Sequence, residues 1–190
     1  MNIGIDLDGV VYNSEAMLKC RAEFYDQQLG GKGVVNQEEL LCQHRFGWTL
    51  EQENDFLKLH LIDVLKKAPL KLMAKETIEM LKKDGHNLFV ITSRGNVFKE
   101  EISVTKKKLK KDKLSFTKVC YNSSNKAQVC KDLNIDVMIE DFYNNAINVA
   151  NAGIKCLYFR EISLKKSSHK NIIEVSNWGE VYRQINSIKK

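Results

Sequence analysis

The stretch Ile3-Gly4-Ile5-Asp6-Leu7-Asp8-Gly9-Val10 places two aspartates at the end of a short apolar run near the start of the chain. A run of about five apolar residues, rich in β-branched side chains, is typical of a strand buried in a parallel sheet. The two acids are therefore predicted to lie where a buried strand ends and the chain turns out of the sheet. This is an unusual place for charged side chains, and it marks them as candidate functional residues.

Four later segments have a similar length and composition: Asn87–Thr92, Thr117–Tyr121, Asp136–Ile139 and Lys155–Phe159. Helical patterns separate these segments. For example, Ala74, Ile78 and Leu81 fall on one face of a helix, and Gly85 follows as a stop signal. The alternation of strands and helices predicts an α/β fold, with a Rossmann-like parallel sheet and helices on both faces.

One region interrupts this alternation directly after the first strand. Three helical patterns follow one another there, with no strand pattern between them: Ser14–Leu29, Asn36–Gln43 and Leu50–Lys66. We therefore expect a small helical cap at residues 12–70, inserted into a catalytic core made of residues 1–11 and 71–190.

The composition of the 190-residue chain, with 43% hydrophobic and 28% charged side chains, excludes a disordered chain, a collagen and a disulfide-dense mini-protein. The five cysteines show no C-x-x-C spacing, which favours a reduced cytosolic protein. No apolar stretch is long enough to span a membrane, and the N-terminus lacks the apolar core of an export signal. We expect a cytoplasmic protein without membrane contact.

The net charge of +6 is concentrated in residues 105–113, which hold six lysines and one aspartate. Phe98, Ile102 and Leu109 are predicted to face the core, so we interpret the lysines as the solvated face of an amphipathic helix. Contact of this face with nucleic acid or phosphoinositide is the alternative. It is disfavoured because the rest of the chain is close to neutral.

Carboxylates follow the ends of two predicted strands. Asp6 and Asp8 close the first strand, and Glu140 and Asp141 close the fourth. Because the carboxyl ends of parallel strands meet at one edge of a sheet, these side chains are expected to lie together. Gathered carboxylates repel one another unless they are protonated or bridged by a cation, and Mg²⁺ suits such oxygen ligands.

Groups able to bind a phosphoryl oxygen follow the other two strands. Thr92 and Ser93 end the second strand, and Lys126 begins the helix after the third. Together with the acids and Mg²⁺ they predict a phosphoryl-transfer site. In such a site one aspartate acts as nucleophile, and a carboxyl two residues further on transfers protons.

Four motifs occur in order along the chain: DLDGV at 6–10, TSR at 92–94, Lys126, and ED at 140–141 followed by Asn145. Together they resemble the motifs of the haloacid-dehalogenase superfamily of phosphohydrolases. The resemblance implies that Asp6 is the nucleophile and Asp8 the acid/base. It further implies that Asp6, the Asp8 backbone carbonyl and Asp141 hold Mg²⁺, that Thr92, Ser93 and Lys126 bind the phosphoryl group, and that Asn145 has a supporting role.

Within that superfamily the chain resembles the deoxyribonucleotidase-like branch, the 5′(3′)-nucleotidases. The cap after the first motif, FGWT at 46–49, IED at 139–141 and SNWGEV at 176–181 carry this similarity. The resemblance implies Mg²⁺-dependent hydrolysis of (deoxy)nucleoside monophosphates through an aspartyl-phosphate.

Several other functions stay open beside the nucleotidase. A sugar phosphate or another small phosphomonoester is an alternative substrate, and a nucleic-acid end-processing phosphatase is a further possibility. A catalytically silent binding protein is the non-enzyme alternative, which the intact acids disfavour. A receiver-type signalling module is disfavoured because no aspartate ends a middle strand. The oligomeric state is not predicted.

The roles of four residues are open. Arg94 either contacts substrate or holds the loops around the site together. Glu140 is either an outer-sphere partner of the metal or the partner of a base such as Arg94. Phe46 and Trp48 either form a platform for a nucleobase or pack the interior of the cap, and packing is the favoured interpretation.

Overall fold

The computed structural model describes residues 1–160 and 165–188. These residues contain a six-stranded sheet in which every strand runs parallel to its neighbours, in the order β3-β2-β1-β4-β5-β6. The strands are β1 (Asn2–Ile5), β2 (Asn87–Ile91), β3 (Lys118–Cys120), β4 (Val137–Glu140), β5 (Lys155–Phe159) and β6 (Ile172–Val175). The five predicted strands and the α/β class are confirmed. The sixth strand is an additional, half-buried strand at the edge of the sheet.

Eight helices lie in the described part of the chain: α1 (Ser14–Gln28), α2 (Cys42–Phe46), α3 (Leu50–Lys67), α4 (Ala74–Lys83), α5 (Glu100–Lys111), α6 (Lys126–Asp132), α7 (Tyr143–Asn151) and α8 (Trp178–Ile188). None of the helices in the described ranges is both long and apolar enough to cross a membrane.

The second helix of the insert differs from the prediction, which placed it at Asn36–Gln43. Residues 36–41 are irregular, and the helix begins at Cys42. The side chain of Asn36 accepts a hydrogen bond from the backbone N–H of Glu38, a local bond that competes with helix formation. The backbone N–H groups of Val35 and Asn36 both donate to the carbonyl of Arg45, which ties this loop to α2 instead.

Both faces of the sheet are covered, which explains the continuous apolar character of the strands. On one face Ile3 and Ile5 of β1 pack against α4 and α8. On the other face Met138 of β4 packs against α6 and α7. Gly4 allows this close packing, because a Cβ there would lie 2.7 Å from the Met138 sulfur.

The helical insert leaves and rejoins the core at one point. The N–H of Asn13 donates to the Pro69 carbonyl at 2.9 Å, and the N–H of Lys71 donates to the Val11 carbonyl at 2.9 Å. Helices α1 to α3 share an apolar cluster of their own, and α3 also packs on α5 through Leu65. Residues 12–70 are called the cap below.

The lysine-rich segment forms α5, and most of its lysines are exposed. Lys108 is an exception to the predicted solvated face, since only 8% of it is exposed. Its ammonium group pairs with Asp112 at 3.1 Å and lies 5.1 Å from the centre of the Tyr12 ring. A lysine followed four residues later by an aspartate can be buried because its charge is paired within one helix.

Candidate active site

The loop after β1 brings two carboxylates to the carboxyl edge of the sheet. The N–H of Asp6 continues the pairing of β1 with β4 by donating to the Ile139 carbonyl. The chain then turns at Gly9, whose φ is +70°. A Cβ at Gly9 would lie 1.8 Å from Asp141 Oδ2, so only glycine lets this loop rest on the Asp141 carboxylate.

A second support for this loop comes from the C-terminal helix. Trp178 is fully buried at the start of α8, and its ring N–H donates to the Val10 carbonyl at 2.9 Å. The sequence singles out SNWGEV at 176–181 only through the resemblance. The structure gives the tryptophan a physical task, which is to hold the carbonyl of Val10, two residues after Asp8.

Three carboxylates lie together at the edge of the sheet. Asp6, Glu140 and Asp141 are buried, and each offers an oxygen within 4.8 Å of the others. Burial raises the pKa of Asp6 to about 7, with Lys126 opposing the shift and Glu140 and Asp8 adding to it. Burial and the nearby Glu15 and Glu140 also raise the pKa of Asp141 well above its ordinary value.

This cluster fits a divalent cation. Asp6 Oδ1 is buried and lies 2.9 Å from the Lys126 ammonium nitrogen, and the Asp141 carboxylate lies in the cradle formed by Gly9. Hard oxygen ligands of this kind suit Mg²⁺, and a cation would relieve the repulsion among the buried acids. Asp6, Glu140 and Asp141 are therefore the side chains that could hold a metal here.

Lys126 supplies the positive charge of the site. It is the first residue of α6, whose preceding Asn125 side chain accepts a hydrogen bond from the N–H of Gln128. Its ammonium nitrogen lies 2.9 Å from Asp6 Oδ1 and 2.7 Å from Glu140 Oε2. Burial alone would lower the pKa of Lys126, but the charges of Asp6 and Glu140 raise it above its ordinary value.

Glu140 is therefore paired with a base, and that base is Lys126. The remaining oxygen of Glu140 accepts a hydrogen bond from the N–H of Phe142 at 3.1 Å. The suggested pairing of Glu140 with Arg94 is wrong. Lys126 lies only 14 residues before Glu140, but spacing alone does not show that the first residue of α6 reaches the end of β4.

Arg94 instead binds Asp8. Its Nε donates to Asp8 Oδ2 and its Nη2 donates to Asp8 Oδ1, both at 2.8 Å. The Ser14 hydroxyl also donates to Asp8 Oδ1. Burial would raise the pKa of Asp8, but the charge and hydrogen bonds of Arg94, assisted by Ser14, lower it below its ordinary value. Arg94 thus joins the loops after β1 and β2.

A cavity of about 470 Å³ lies between this edge of the sheet and the cap. Its core side includes the predicted residues Asp6, Asp8, Thr92, Ser93, Arg94, Lys126, Glu140, Asp141 and Asn145. Its cap side is mostly apolar, with Leu18, Phe56, Leu57, Leu61 and Leu65, and with Glu15, Lys19 and Glu53 as charged groups. The structure thus brings all the predicted core residues to one cavity.

The two aromatic candidates of the cap lie elsewhere. Phe46 and Trp48 stack on each other at 4.9 Å inside the cap, where each is 6% exposed, and neither lines the cavity. The Trp48 ring N–H donates to Asp26 Oδ1 at 2.7 Å, which satisfies a buried donor. The platform interpretation of these residues is therefore corrected in favour of cap packing.

Sequence reasoning missed several cavity residues. Phe56 lies on the inner face of α3, and Phe142 directly follows Asp141. The position of Phe142 after the ED pair was a usable signal, because the residue after a strand end faces the same edge. Phe56 had no such signal, since its helix is apolar on the faces toward both the cap interior and the cavity.

Comparison with known proteins supports this reading of the fold. No protein-family model matches the chain. A solved haloacid dehalogenase-like family hydrolase from Streptococcus pneumoniae superposes with a TM-score of 0.69 at 15% identity, covering 97% of each chain. This chain has the haloacid-dehalogenase-like fold.

Two further proteins are similar to this chain. A solved haloacid-dehalogenase family hydrolase from Deinococcus radiodurans, with bound phosphate and sodium, superposes with a TM-score of 0.66 at 13% identity, covering 99% of this chain and 96% of that one. By sequence, a protein of Clostridium acetobutylicum named a nucleotidase is 25% identical over 183 residues, which are 96% of this chain and 92% of the relative.

Proposed function

We propose that this protein is a Mg²⁺-dependent phosphomonoester hydrolase that acts through an aspartyl-phosphate, with nucleoside monophosphates as substrates. The observation that carries the proposal is the meeting of Asp6 with Lys126, 2.9 Å apart, beside Asp141 at the bottom of a cavity. A carboxylate nucleophile can approach an anionic phosphoryl group only if a nearby positive charge offsets the repulsion between them.

In the first step an oxygen of Asp6 attacks phosphorus, and the bond from phosphorus to the leaving oxygen breaks. The product is an aspartyl-phosphate and an alcohol. Lys126 offsets the negative charge that accumulates on the phosphoryl oxygens. The hydroxyls of Thr92 and Ser93, which line the same cavity, donate to those oxygens.

Asp8 moves the protons. In the first step its carboxyl gives a proton to the leaving oxygen. In the second step its carboxylate takes a proton from water, whose oxygen attacks phosphorus and breaks the bond to Asp6. This releases inorganic phosphate and restores both carboxyl groups. Asp8 follows Asp6 by two residues and lines the same cavity. The Arg94 fork favours its carboxylate form, which takes the proton from water in the second step, so Asp8 has to bind a proton before the first step.

The metal would be held by the carboxylates of Asp6 and Asp141 and by the Asp8 backbone carbonyl. When bound, Mg²⁺ neutralises the repulsion between the carboxylates and the incoming phosphoryl group. Glu140 then acts by holding Lys126 in place, since one of its oxygens binds that ammonium group. Asn145 lines the cavity beside these groups and supports them.

The cap would shape the leaving-group side of the cavity. Cavities of about 300–1,000 Å³ with mainly apolar walls hold compact organic ligands, and this one measures about 470 Å³. Leu18 and Leu57, which are half-buried cap residues on the cavity wall, supply an apolar surface for a planar base. The similarity to a protein named a nucleotidase supports this substrate class. A sugar phosphate is the second candidate, because Glu15 and Lys19 offer partners for its hydroxyls.

The test is phosphate release from a panel of phosphomonoesters, with Mg²⁺ or with EDTA. The panel holds ribo- and deoxyribonucleoside 5′- and 3′-monophosphates, sugar phosphates, phosphoglycolate and a 3′-phosphorylated oligonucleotide. Preference for a set of mononucleotides that disappears with EDTA and in Asp6→Asn supports the proposal. Preference for a sugar phosphate keeps the mechanism and removes the nucleotidase. Equal activity of Asp6→Asn overturns the mechanism.

A further inference from the structure

All three guanidinium nitrogens of Arg94 are engaged by protein oxygens. Nε and Nη2 donate to the two carboxylate oxygens of Asp8, and Nη1 donates to Thr105 Oγ1 at 3.1 Å. The Arg94 side chain is 1% exposed. Three of the five N–H donors of Arg94 are used in this way, and a side chain with 1% exposure presents almost no surface to a phosphoryl oxygen.

The surroundings of Arg94 fix it in this position. Its guanidinium carbon lies 5.3 Å from the centre of the Tyr12 ring, and Thr105 Oγ1 in turn donates to the Glu101 carbonyl at 2.7 Å. The Tyr12 hydroxyl donates to Asp112 at 2.9 Å, which anchors the ring to the end of α5. Arg94 is therefore clamped between the loop after β1 and helix α5.

The loop that carries Arg94 is also tied down. The Glu101 carboxylate accepts hydrogen bonds from the backbone N–H groups of Gly95 and Phe98. The Arg94 carbonyl accepts a hydrogen bond from the N–H of Asn122 at 3.1 Å. The segment around Arg94 is thus held by several hydrogen bonds, and its charged guanidinium group binds both carboxylate oxygens of Asp8.

Asp8 is the group that receives this support. Its oxygens are held by Arg94 and Ser14, yet 34% of its side chain stays exposed, and it lines the cavity. The orientation of the carboxyl plane is thus set from the protein side, while the cavity side stays open.

We propose that Arg94 is a positioning residue, which fixes the Asp8 carboxyl at the edge of the cavity for proton transfer and does not itself bind the phosphoryl group. This inference rests on the proposed function, in which Asp8 protonates the leaving oxygen and later deprotonates water. The fork geometry requires two parallel donors, which a lysine cannot provide.

The experiment compares two leaving groups in pre-steady-state kinetics of the Mg²⁺-loaded enzyme. p-Nitrophenolate leaves without needing a proton, whereas the alkoxide of a nucleoside or a simple alkyl phosphate needs one. For Arg94→Lys we expect a burst of about one p-nitrophenol per active site, followed by slow turnover, because only the second step still needs Asp8. Alcohol release from the alkyl substrate is expected to slow about 10²-fold without a burst, within the usual range for a general acid.

Michaelis constants separate positioning from phosphate binding. If Arg94 bound the phosphoryl group, Arg94→Lys would raise KM and slow the first step for both substrates, which overturns the proposal. Wild-type rates for both leaving groups in Arg94→Lys would overturn it as well. A loss confined to the steps that use Asp8, with KM changed less than about threefold, is the expected result.

A milder variant covers the case in which Arg94→Lys does not fold. Thr105→Val removes the hydrogen bond to Nη1 and leaves the charge of Arg94 in place, so it is expected to show the same burst with a smaller loss. No change in the ratio of the two leaving-group rates in a folded Thr105→Val protein would contradict the clamp. Asp6→Asn gives no p-nitrophenol burst if the proposed function holds, so failure of that function is recognised separately.

Discussion

Lys126 Nζ and Asp6 Oδ1 lie 2.9 Å apart, and both side chains are buried. The same ammonium group binds Glu140 at 2.7 Å, so one lysine compensates two carboxylates. Removing one member of a buried ion pair leaves an unpaired charge and costs about 3–5 kcal/mol. We expect Lys126→Met to lower the free energy of unfolding by an amount in this range, measured by urea denaturation at neutral pH.

A partial rescue is the control for Lys126→Met. Adding Glu140→Gln removes one of the two unpaired carboxylates, so the double variant is expected to be more stable than Lys126→Met alone. Activity stays low in both, because the charge beside Asp6 is missing. Equal stability of the single and double variants would contradict a shared ion pair between Lys126 and Glu140.

Substitutions of the two aspartates of the first motif are expected to lower turnover for different reasons. Asp6→Asn replaces the nucleophile by an amide, so turnover is expected to fall by at least about a thousandfold. Asp8→Asn keeps its backbone carbonyl, so Mg²⁺ binding is expected to persist while turnover falls about 10²- to 10⁴-fold. The measurements are phosphate release and the rise in melting temperature caused by Mg²⁺. Loss of the Mg²⁺ effect in Asp8→Asn would contradict the assignment of its carbonyl.

The core of the site could be predicted from the sequence because each of its residues follows a buried strand or begins a helix. Short apolar runs, and the turn and capping residues that bound them, predict five strands and the insert after β1. They also predict a shared edge of the sheet for Asp6, Thr92, Lys126 and Asp141. A parallel strand can be recognised from its own short sequence, because it is buried on both faces and is therefore continuously apolar.

Partners across the fold could not be predicted in the same way. The pairings of Glu140 with Lys126 and of Arg94 with Asp8 depend on distances that composition and spacing do not determine. The cap was the least predictable part, because its apolar residues serve both its own interior and the cavity. The burial of Trp48 against Asp26 is a packing outcome that the FGWT string does not reveal.

The raised pKa values in the acidic cluster predict a pH dependence of metal-free stability. A carboxyl whose pKa is raised on folding binds its proton more tightly in the folded state, so its favourable contribution is present at low pH. For Asp6 that contribution is lost as the pH rises from about 4 toward about 7. Asp141 adds a shift of the same sign. In EDTA, the free energy of unfolding is therefore expected to decline across this window.

Asp141→Asn tests this electrostatic cause. The amide has almost the same shape as the carboxyl but no charge, so the metal-free variant is expected to melt higher than wild type at pH 8. About 1 kcal/mol corresponds to about 2–4 °C in a domain of this size. The gap is expected to close toward pH 5, and Mg²⁺ is expected to stabilise only the wild type. A gap independent of pH would point to packing instead.

Substitutions of two cap residues, Trp48 in the cap interior and Leu57 on the cavity wall, are expected to affect different properties. Trp48→Phe leaves Asp26 Oδ1 without its buried donor, so it is expected to lower stability by about 1–3 kcal/mol. It touches no cavity surface, so KM for nucleotides is expected to stay within about twofold. Leu57→Ala, on the cavity wall, is expected to raise KM by roughly tenfold, since lost apolar contact weakens substrate binding.

Comparing the two cap variants decides what Trp48 does. Thermal melts and Michaelis constants measured on the same preparations give both quantities for each variant. A large rise in KM for Trp48→Phe with unchanged stability would restore the nucleobase platform. A KM unchanged in Leu57→Ala would show that the leaving group does not reach the cap, because this half-buried leucine lines the cavity between α3 and the core. The expected pattern is stability loss at Trp48 and affinity loss at Leu57.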